Sequence, residues 1–201
     1  MISVVITTYG DEGWRELAYT RALASAEDQG AHEVLVHHEP ELEIGPARNA
    51  AAATATGEWL LFLDADDELS PGYVDAMKAA ISRQGGGKWL FQPAVSYVRK
   101  GRIGPPQINK VKDLSQDNYL VVGTVVRKHL FEEVGGFSDY PHGFEDWSLW
   151  AKCWRAGAQI VPVRKAIYVA HINPHSKHRA LWRNRKEQVA THLRVQKELF
   201  G

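Results

Sequence analysis

Short runs made up mostly of apolar and β-branched residues fall at 2–7, 33–37 and 59–63, with longer stretches of helical spacing between them. Runs of this length without polar alternation predict strands buried on both faces. After the glycines at 10 and 13, Leu17, Arg21 and Ala24 mark a helical pattern over 14–26. Pro46 opens an alanine-rich helix through residue 55, since proline suits a first helical turn, and Gly57 is read as its stop. This strand–helix–strand–helix–strand order predicts a parallel sheet flanked by helices. Ser70-Pro71 then caps a helix running to about residue 83.

The second half alternates less regularly. Gly85-Gly86-Gly87 marks a turn before a strand over 88–98, and 101–106 reads as a loop. Residues 119–127 are strand-like, and 128–134 form a short helix ended by Gly135-Gly136. A helix over 144–156 and short strands at 160–163 and 166–170 follow. In the tail, Trp182, Val189, Leu193 and Phe200 recur at helical spacing. With no repeat, low-complexity stretch or linker, residues 1–201 are expected to form one α/β domain.

Composition narrows the function classes. The chain is 44% hydrophobic and 24% charged, a globular mixture. A formal net charge of zero gives no global attraction to nucleic acid or membranes. Cys153 is the single cysteine, so neither an intrachain disulfide nor a thiolate cage can form. Between Trp150 and Trp154 it reads as a buried, inert thiol. The opening residues lack the basic flank and long apolar run of a signal peptide, and no stretch has the length of a membrane span. The expectation is a cytoplasmic protein.

Three stretches carry chemistry. In Leu60-Leu61-Phe62-Leu63-Asp64-Ala65-Asp66-Asp67, carboxylates follow a buried strand, at the edge where open α/β sheets bind ligands. Alternate residues of an extended chain point the same way, so Asp64 and Asp66 converge as hard oxygen ligands suited to Mg²⁺ or Mn²⁺ beside a diphosphate; the plainer alternative is a solvated acidic turn. Glu145 and Asp146 start a helix after Gly143-Phe144. They are either favourable N-terminal charges or include a general base for a hydroxyl nucleophile. The neighbouring aromatics, Trp147 and Trp150, suit either a sugar platform or the core. The third stretch, His171-Ile172-Asn173-Pro174-His175-Ser176-Lys177-His178-Arg179, has no zinc spacing, yet one histidine could complete a metal shell begun by Asp66.

Taken in order, these pieces resemble the family 2 inverting glycosyltransferases of GT-A fold. The likeness covers residue 2 to about residue 176. It rests on Ser3-Val4-Val5-Ile6-Thr7-Thr8-Tyr9, Gly45-Pro46-Ala47-Arg48-Asn49-Ala50, the run from Gly57 to Leu69, Gly135-Gly136-Phe137 and Glu145-Asp146. The resemblance implies a Rossmann-like, mostly parallel central sheet flanked by helices, with a C-terminal helix. It implies a nucleotide-sugar-binding half over 1–98, an acceptor and catalytic half over 99–176, and a basic helix over 177–201. Thr8, Tyr9, Glu39 and Arg48 would line the nucleotide pocket, with Asp64 and Ala65 near the ribose or metal. Asp66 would hold Mn²⁺ or Mg²⁺, with His171 as a further ligand and His175 as its rival. Asp146 would be the catalytic base, Glu145 would help hold the acceptor, and Trp147 would contact it. The donor is expected to be a nucleoside-diphosphate sugar, preferably a UDP-sugar, and the acceptor an unidentified hydroxyl. Two departures stand out. The paired aspartates and Gly-Ser that the family usually carries after the second strand are replaced by His37-His38-Glu39-Pro40, and Thr7 stands where the family often has proline.

Two other functions are weighed. A sugar nucleotidyltransferase would need a glycine-rich basic loop after the first strand, where this chain has the acidic Thr7-Thr8-Tyr9-Gly10-Asp11-Glu12. A non-catalytic sugar or nucleotide-binding module would have no need of both Asp66 and Asp146. Between Lys177 and Lys197 there are seven Lys/Arg against one Glu, a surplus of six positive charges. These form either a peripheral membrane or polyanion contact or a solvated helix face.

Overall fold

β1 (Ile2–Tyr9) realises the opening apolar run and buries Val4, Val5 and Ile6 completely. It pairs in parallel with β2 (Glu33–Glu39) on one side and β3 (Trp59–Asp64) on the other. These coordinates are a computed structural model and describe residues 1–110, 113–140, 143–172 and 185–201. Between β1 and β2 the chain is helical over 12–29, as α1 (Glu12–Leu17), a π-helical stretch Ala18–Leu23, α2 (Ala24–Ala26) and a 3₁₀ turn Glu27–Gln29. The link from β2 to β3 is α3 (Ile44–Thr54). It ends before Gly57, which has a different task. The Gly57 N–H donates to Ser3 Oγ at 2.8 Å, and a Cβ there would lie 2.4 Å from that oxygen.

Beyond β3 come β4 (Glu68–Leu69), α4 (Tyr73–Arg83), β5 (Trp89–Arg99), β6 (Arg102–Ile103), β7 (Val125–Arg127), α5 (Lys128–Glu133), α6 (Glu145–Arg155) and β8 (Gln159–His171). The described strands form one sheet in the order β2-β1-β3-β7-β5-β8-β4, with β6 beside β5. β7 is antiparallel to both β3 and β5, and β5 is parallel to β8. That double reversal leaves β1, β2, β3, β5 and β8 pointing one way. Their C-terminal ends therefore share an edge, the expected ligand edge.

Two strand expectations change. The strand expected over 119–127 shortens to β7, because 121–124 turns back on itself, with the Thr124 N–H on the Val121 carbonyl at 3.0 Å. The hydroxyl of Tyr73 takes the Gly123 carbonyl at 2.6 Å, competing with ladder pairing. The two short strands at 160–163 and 166–170 are one strand, β8. Its pairing jumps from Pro93↔Val163 to Ala94↔Ile167, so residues 164–166 bulge opposite a proline that has no N–H to offer.

A hydrophobic core cluster runs through the chain from Ile2 to Leu199. Cys153 lies within it, and burial pushes its thiol up to about 12, as expected of an inert residue. The last element, α7 (Arg185–Phe200), contributes Val195 and Leu199 to the core while Val189 and Leu193 are 49% and 56% exposed. Val189 and Leu193 thus lie off the packed face, Phe200 is half-buried against the core beside Trp154, and Trp182 lies outside the described residues. Of the seven basic residues, Lys177, Arg179 and Arg183 also lie outside them, and Arg194 pairs with Glu198 at 2.7 Å. Among the described residues no helix is long and apolar enough to cross a membrane.

Candidate active site

The acidic turn at the end of β3 is folded back along β8. β4 sets Glu68 opposite Val169 and Leu69 opposite Tyr168, and the Asp67 N–H closes the turn on the Asp64 carbonyl at 3.0 Å. In the sheet, β7 and β5 stand between β3 and β8, so this contact requires the sheet to curl. The Asp64 N–H reaches the Tyr168 hydroxyl at 3.3 Å, and Asp67 Oδ1 accepts the His171 N–H at 2.7 Å. Arg21, from the π-helical stretch, donates to the Asp66 carbonyl at 2.9 Å. Asp67 is buried, and its carboxyl is held well above the usual range, first by desolvation and then by the charges of Asp64 and Asp66.

One arginine joins this turn to the second acidic centre. Arg48, on α3, donates Nη2 to Asp64 Oδ1 at 2.5 Å and Nη1 to Glu145 Oε1 at 2.7 Å. Its guanidinium lies over the Phe137 ring, 5.2 Å from the centroid. Burial alone would weaken its charge, but the coulombic pull of Asp64 and Glu145 overrides that and keeps it firmly protonated. The approach depends on small and polar neighbours in α3. A Cβ on Gly45 would lie 2.4 Å from the Ser138 carbonyl oxygen. Asn49 both donates to and accepts from the Phe137 backbone, at 2.9 Å each way.

Asp146 occupies the first turn of α6, after Phe144 with φ 71°. Its Oδ1 accepts the Trp147 N–H at 2.7 Å, and its Oδ2 accepts Asn118 Nδ2 at 2.9 Å. Desolvation and the neighbouring Glu145 charge push its carboxyl up to about 7, against the opposing pull of Arg48. That value suits a base working near neutral pH.

At the other end of the edge, register places Thr8 beside His38 and Tyr9 beside Glu39. Thr8 is buried, with its hydroxyl 2.9 Å from His38 Nδ1, and half-buried Glu39 holds His37 Nε2 at 2.7 Å.

The other side chains expected at the site differ in burial and partners. Trp147 is fully buried, donates Nε1 to the Leu114 carbonyl at 2.8 Å and stacks on His192 at 4.7 Å, so it lies in the core. Glu145 is buried, with Oε1 accepting Arg48 Nη1 at 2.7 Å. Arg48, with its side chain 6% exposed, is paired with Asp64 and Glu145. Ala65 is buried. His171 Nε2 meets Glu68 Oε2 at 2.5 Å, while His175 lies outside the described residues. Asn118, Arg21, His38 and Tyr168 are neighbours of the site that sequence reasoning missed. Asn118 sits in a stretch without pattern, and Tyr168 looks like any strand residue.

Among the described residues no three His, Cys, Asp or Glu side chains are grouped as a metal cage. The donor set still fits a hard divalent cation that takes its other ligands from diphosphate and water. The crowding of Asp64, Asp66 and Asp67, which raises Asp67, is what such an ion would relieve.

This architecture, with its acidic turn on the ligand edge and a second carboxylate centre at the start of α6, is that of the GT-A fold. Residues 18–107 match the sequence profile described as "Glycosyl transferase family 2". An "Uncharacterized glycosyltransferase" of Haemophilus influenzae is 25% identical over 126 residues, covering 59% of this chain and 43% of the relative. "Uncharacterized glycosyltransferase YwdF" of Bacillus subtilis is 27% identical over 135 residues, covering 61% and 48%. The crystal structure of S. aureus TarS 1-349 in complex with UDP-GlcNAc superposes with a TM-score of 0.68 at 19% identity, covering 88% of this chain and 60% of that one. The complex of the same fragment with UDP gives 0.65 at 21%, covering 86% and 61%. The chain is similar to the family 2 glycosyltransferases over residues 18–107 and shares its fold with TarS. It spans less than half the length of the two curated relatives.

Proposed function

We propose that the protein is a metal-dependent inverting glycosyltransferase that moves a sugar from a UDP-sugar to an acceptor hydroxyl. The observation that carries this reading is the joining of two acidic centres through one buried arginine. Arg48 ties Asp64 on the ligand edge to Glu145, and the next residue presents a carboxyl raised to about 7. In this reading Thr8, Tyr9 and Glu39 flank the nucleotide at the ends of β1 and β2. The TarS structures that hold UDP and UDP-GlcNAc support a uridine donor. Mn²⁺ or Mg²⁺ held through Asp66 would neutralise charge on the leaving diphosphate. Asp146 takes the acceptor's proton as the acceptor oxygen bonds to the anomeric carbon and the diphosphate departs from the opposite face. The centre therefore inverts, and no covalent sugar–enzyme intermediate forms.

The test is turnover of UDP-, GDP- and dTDP-sugars with and without Mn²⁺, followed by Asp146→Asn. The variant is expected to lose about 10²–10⁴-fold in rate while still binding UDP in calorimetry. Asp66→Ala is expected to lose the Mn²⁺-dependent part of that binding. Near-normal turnover by Asp146→Asn, or a product that retains the donor's configuration, refutes the reading. Nucleotide binding with no turnover by any donor would point to a binding module.

A further inference from the structure

Residues 113–120 lie in the part of the chain without a recognisable motif, yet they are anchored from several sides. Trp147 Nε1 holds the Leu114 carbonyl at 2.8 Å, and Gln196 Nε2 on α7 holds the Ser115 carbonyl at 3.0 Å. Asn109 Nδ2 takes the Tyr119 carbonyl at 2.9 Å, and Gln92 on β5 takes the Asn109 carbonyl at 2.9 Å. Within this anchored loop, Asn118 Nδ2 donates to Asp146 Oδ2 at 2.9 Å while its Oδ1 accepts the Leu120 N–H at 3.0 Å. Turning the amide over would break both bonds, so an N–H and not a carbonyl meets the carboxylate. The other carboxylate oxygen takes the Trp147 N–H at 2.7 Å. Each oxygen therefore has one fixed donor and a remaining lone pair for an incoming proton.

We propose that Asn118 is a positioning residue for Asp146, fixing the orientation of its carboxylate and favouring the deprotonated form a base needs. The proposal rests on the reading of Asp146 as that base. Among the described residues, the charges acting on the carboxylate are Glu145 beside it on α6, Arg48 from α3 and Asp64 from the end of β3; Asp117 accepts the Asn118 N–H on the loop, and His192 of α7 stacks on Trp147. Glu145 and Asp64 oppose ionisation of Asp146, and both nitrogens Arg48 offers in hydrogen bonds go to those two carboxylates. A donated hydrogen bond from a neutral amide lowers the cost of the charged form without adding net charge.

The test needs no substrate. The carboxyl ¹³C resonance of Asp146, assigned by its loss in Asp146→Asn, is titrated in the wild type, Asn118→Ala and Asn118→Asp. Asn118→Ala is expected to raise the midpoint by about one unit, the order expected for loss of a hydrogen bond to a charged group. Asn118→Asp keeps an acceptor for the Leu120 N–H, so it preserves the loop, and it is expected to raise the midpoint further by placing a second carboxylate in contact. If Asn118→Ala does not fold, Asn118→Asp decides alone. With UDP-GlcNAc and Mn²⁺, the acidic limb of kcat is expected to move with the NMR midpoint while UDP affinity stays the same. An unchanged midpoint in the folded variants overturns the proposal. Normal turnover by Asp146→Asn would instead overturn the base reading and leave the titration result standing.

Discussion

Arg48 concentrates the electrostatics of the site in one side chain, because it is buried and opposes two carboxylates. Breaking a buried pair from one side leaves uncompensated charge, so Arg48→Met is expected to cost about 3–5 kcal/mol in urea denaturation. Adding Glu145→Gln should recover part of that loss, and a single-variant loss under about 1 kcal/mol would contradict this role. Asp146 shows the complementary effect, a carboxyl raised from 3.8 to about 7. As a base it works ionised, so kcat/KM is expected to rise with pH and level off above about 7. An acidic limb near 4 would contradict the assignment. The same shift has a sign for stability. A raised carboxyl binds its proton more tightly when folded, so its contribution is full below its unfolded pKa and declines as pH rises towards about 7. Asp146→Asn is therefore expected to gain stability relative to wild type between pH 4 and 7 and then plateau. A gain of about 2 kcal/mol, half the full conversion of the shift, allows for solvent screening.

Among the elements, α3 fixes the geometry. Gly45, Arg48 and Asn49 meet Ser138, Glu145 and Phe137 in turn, so two motifs far apart in the chain are halves of one interface. Gly45→Ala is expected to destabilise by about 1–3 kcal/mol through overpacking and to reduce turnover by lifting Arg48 from its partners. A fully stable, fully active variant would show that the helix can shift without consequence. β1 and β2 are tied at their opposite ends. Glu33 Oε1 accepts from Ser3 Oγ at 2.6 Å, from the Thr56 N–H at 2.6 Å and from Thr56 Oγ1 at 2.8 Å. These bonds, the one from Ser3 foremost, lower the Glu33 carboxyl to about 2. Stabilisation from a lowered carboxyl is present above its unfolded value of 4.5 and lost as pH falls towards about 2. Glu33→Gln is expected to cost about 1 kcal/mol at neutral pH, since the group is largely solvent-screened. Denaturation curves of the two proteins should converge near pH 2; a gap that persists there would contradict this account.

Across the whole molecule, the sheet divides into a parallel portion, β2-β1-β3, and a portion reached through the antiparallel β7. The sequence determined the first portion closely, because buried strands and amphipathic helices follow from short-range periodicity and from turn residues. It also determined that Asp64, Asp66 and Asp67 would stand on the ligand edge, since an acidic group directly after a central strand has nowhere else to go. Its local patterns misled where polar residues interrupt a strand at Arg164-Lys165, and where Tyr73 captures a turn carbonyl. What only the tertiary structure decided is the division of labour among similar residues. Glu145 turns inward to Arg48 across 97 positions, His171 turns to Glu68 across 103, and Asn118 reaches Asp146 across 28. Trp147 belongs to the core because α7 lays His192 on it, and α7 packs on its Val195–Leu199 side. None of these choices leaves a local trace: neighbouring residues with the same chemistry share one pattern along the chain, and only the packing of distant elements determines which side chain loses its water and which keeps it.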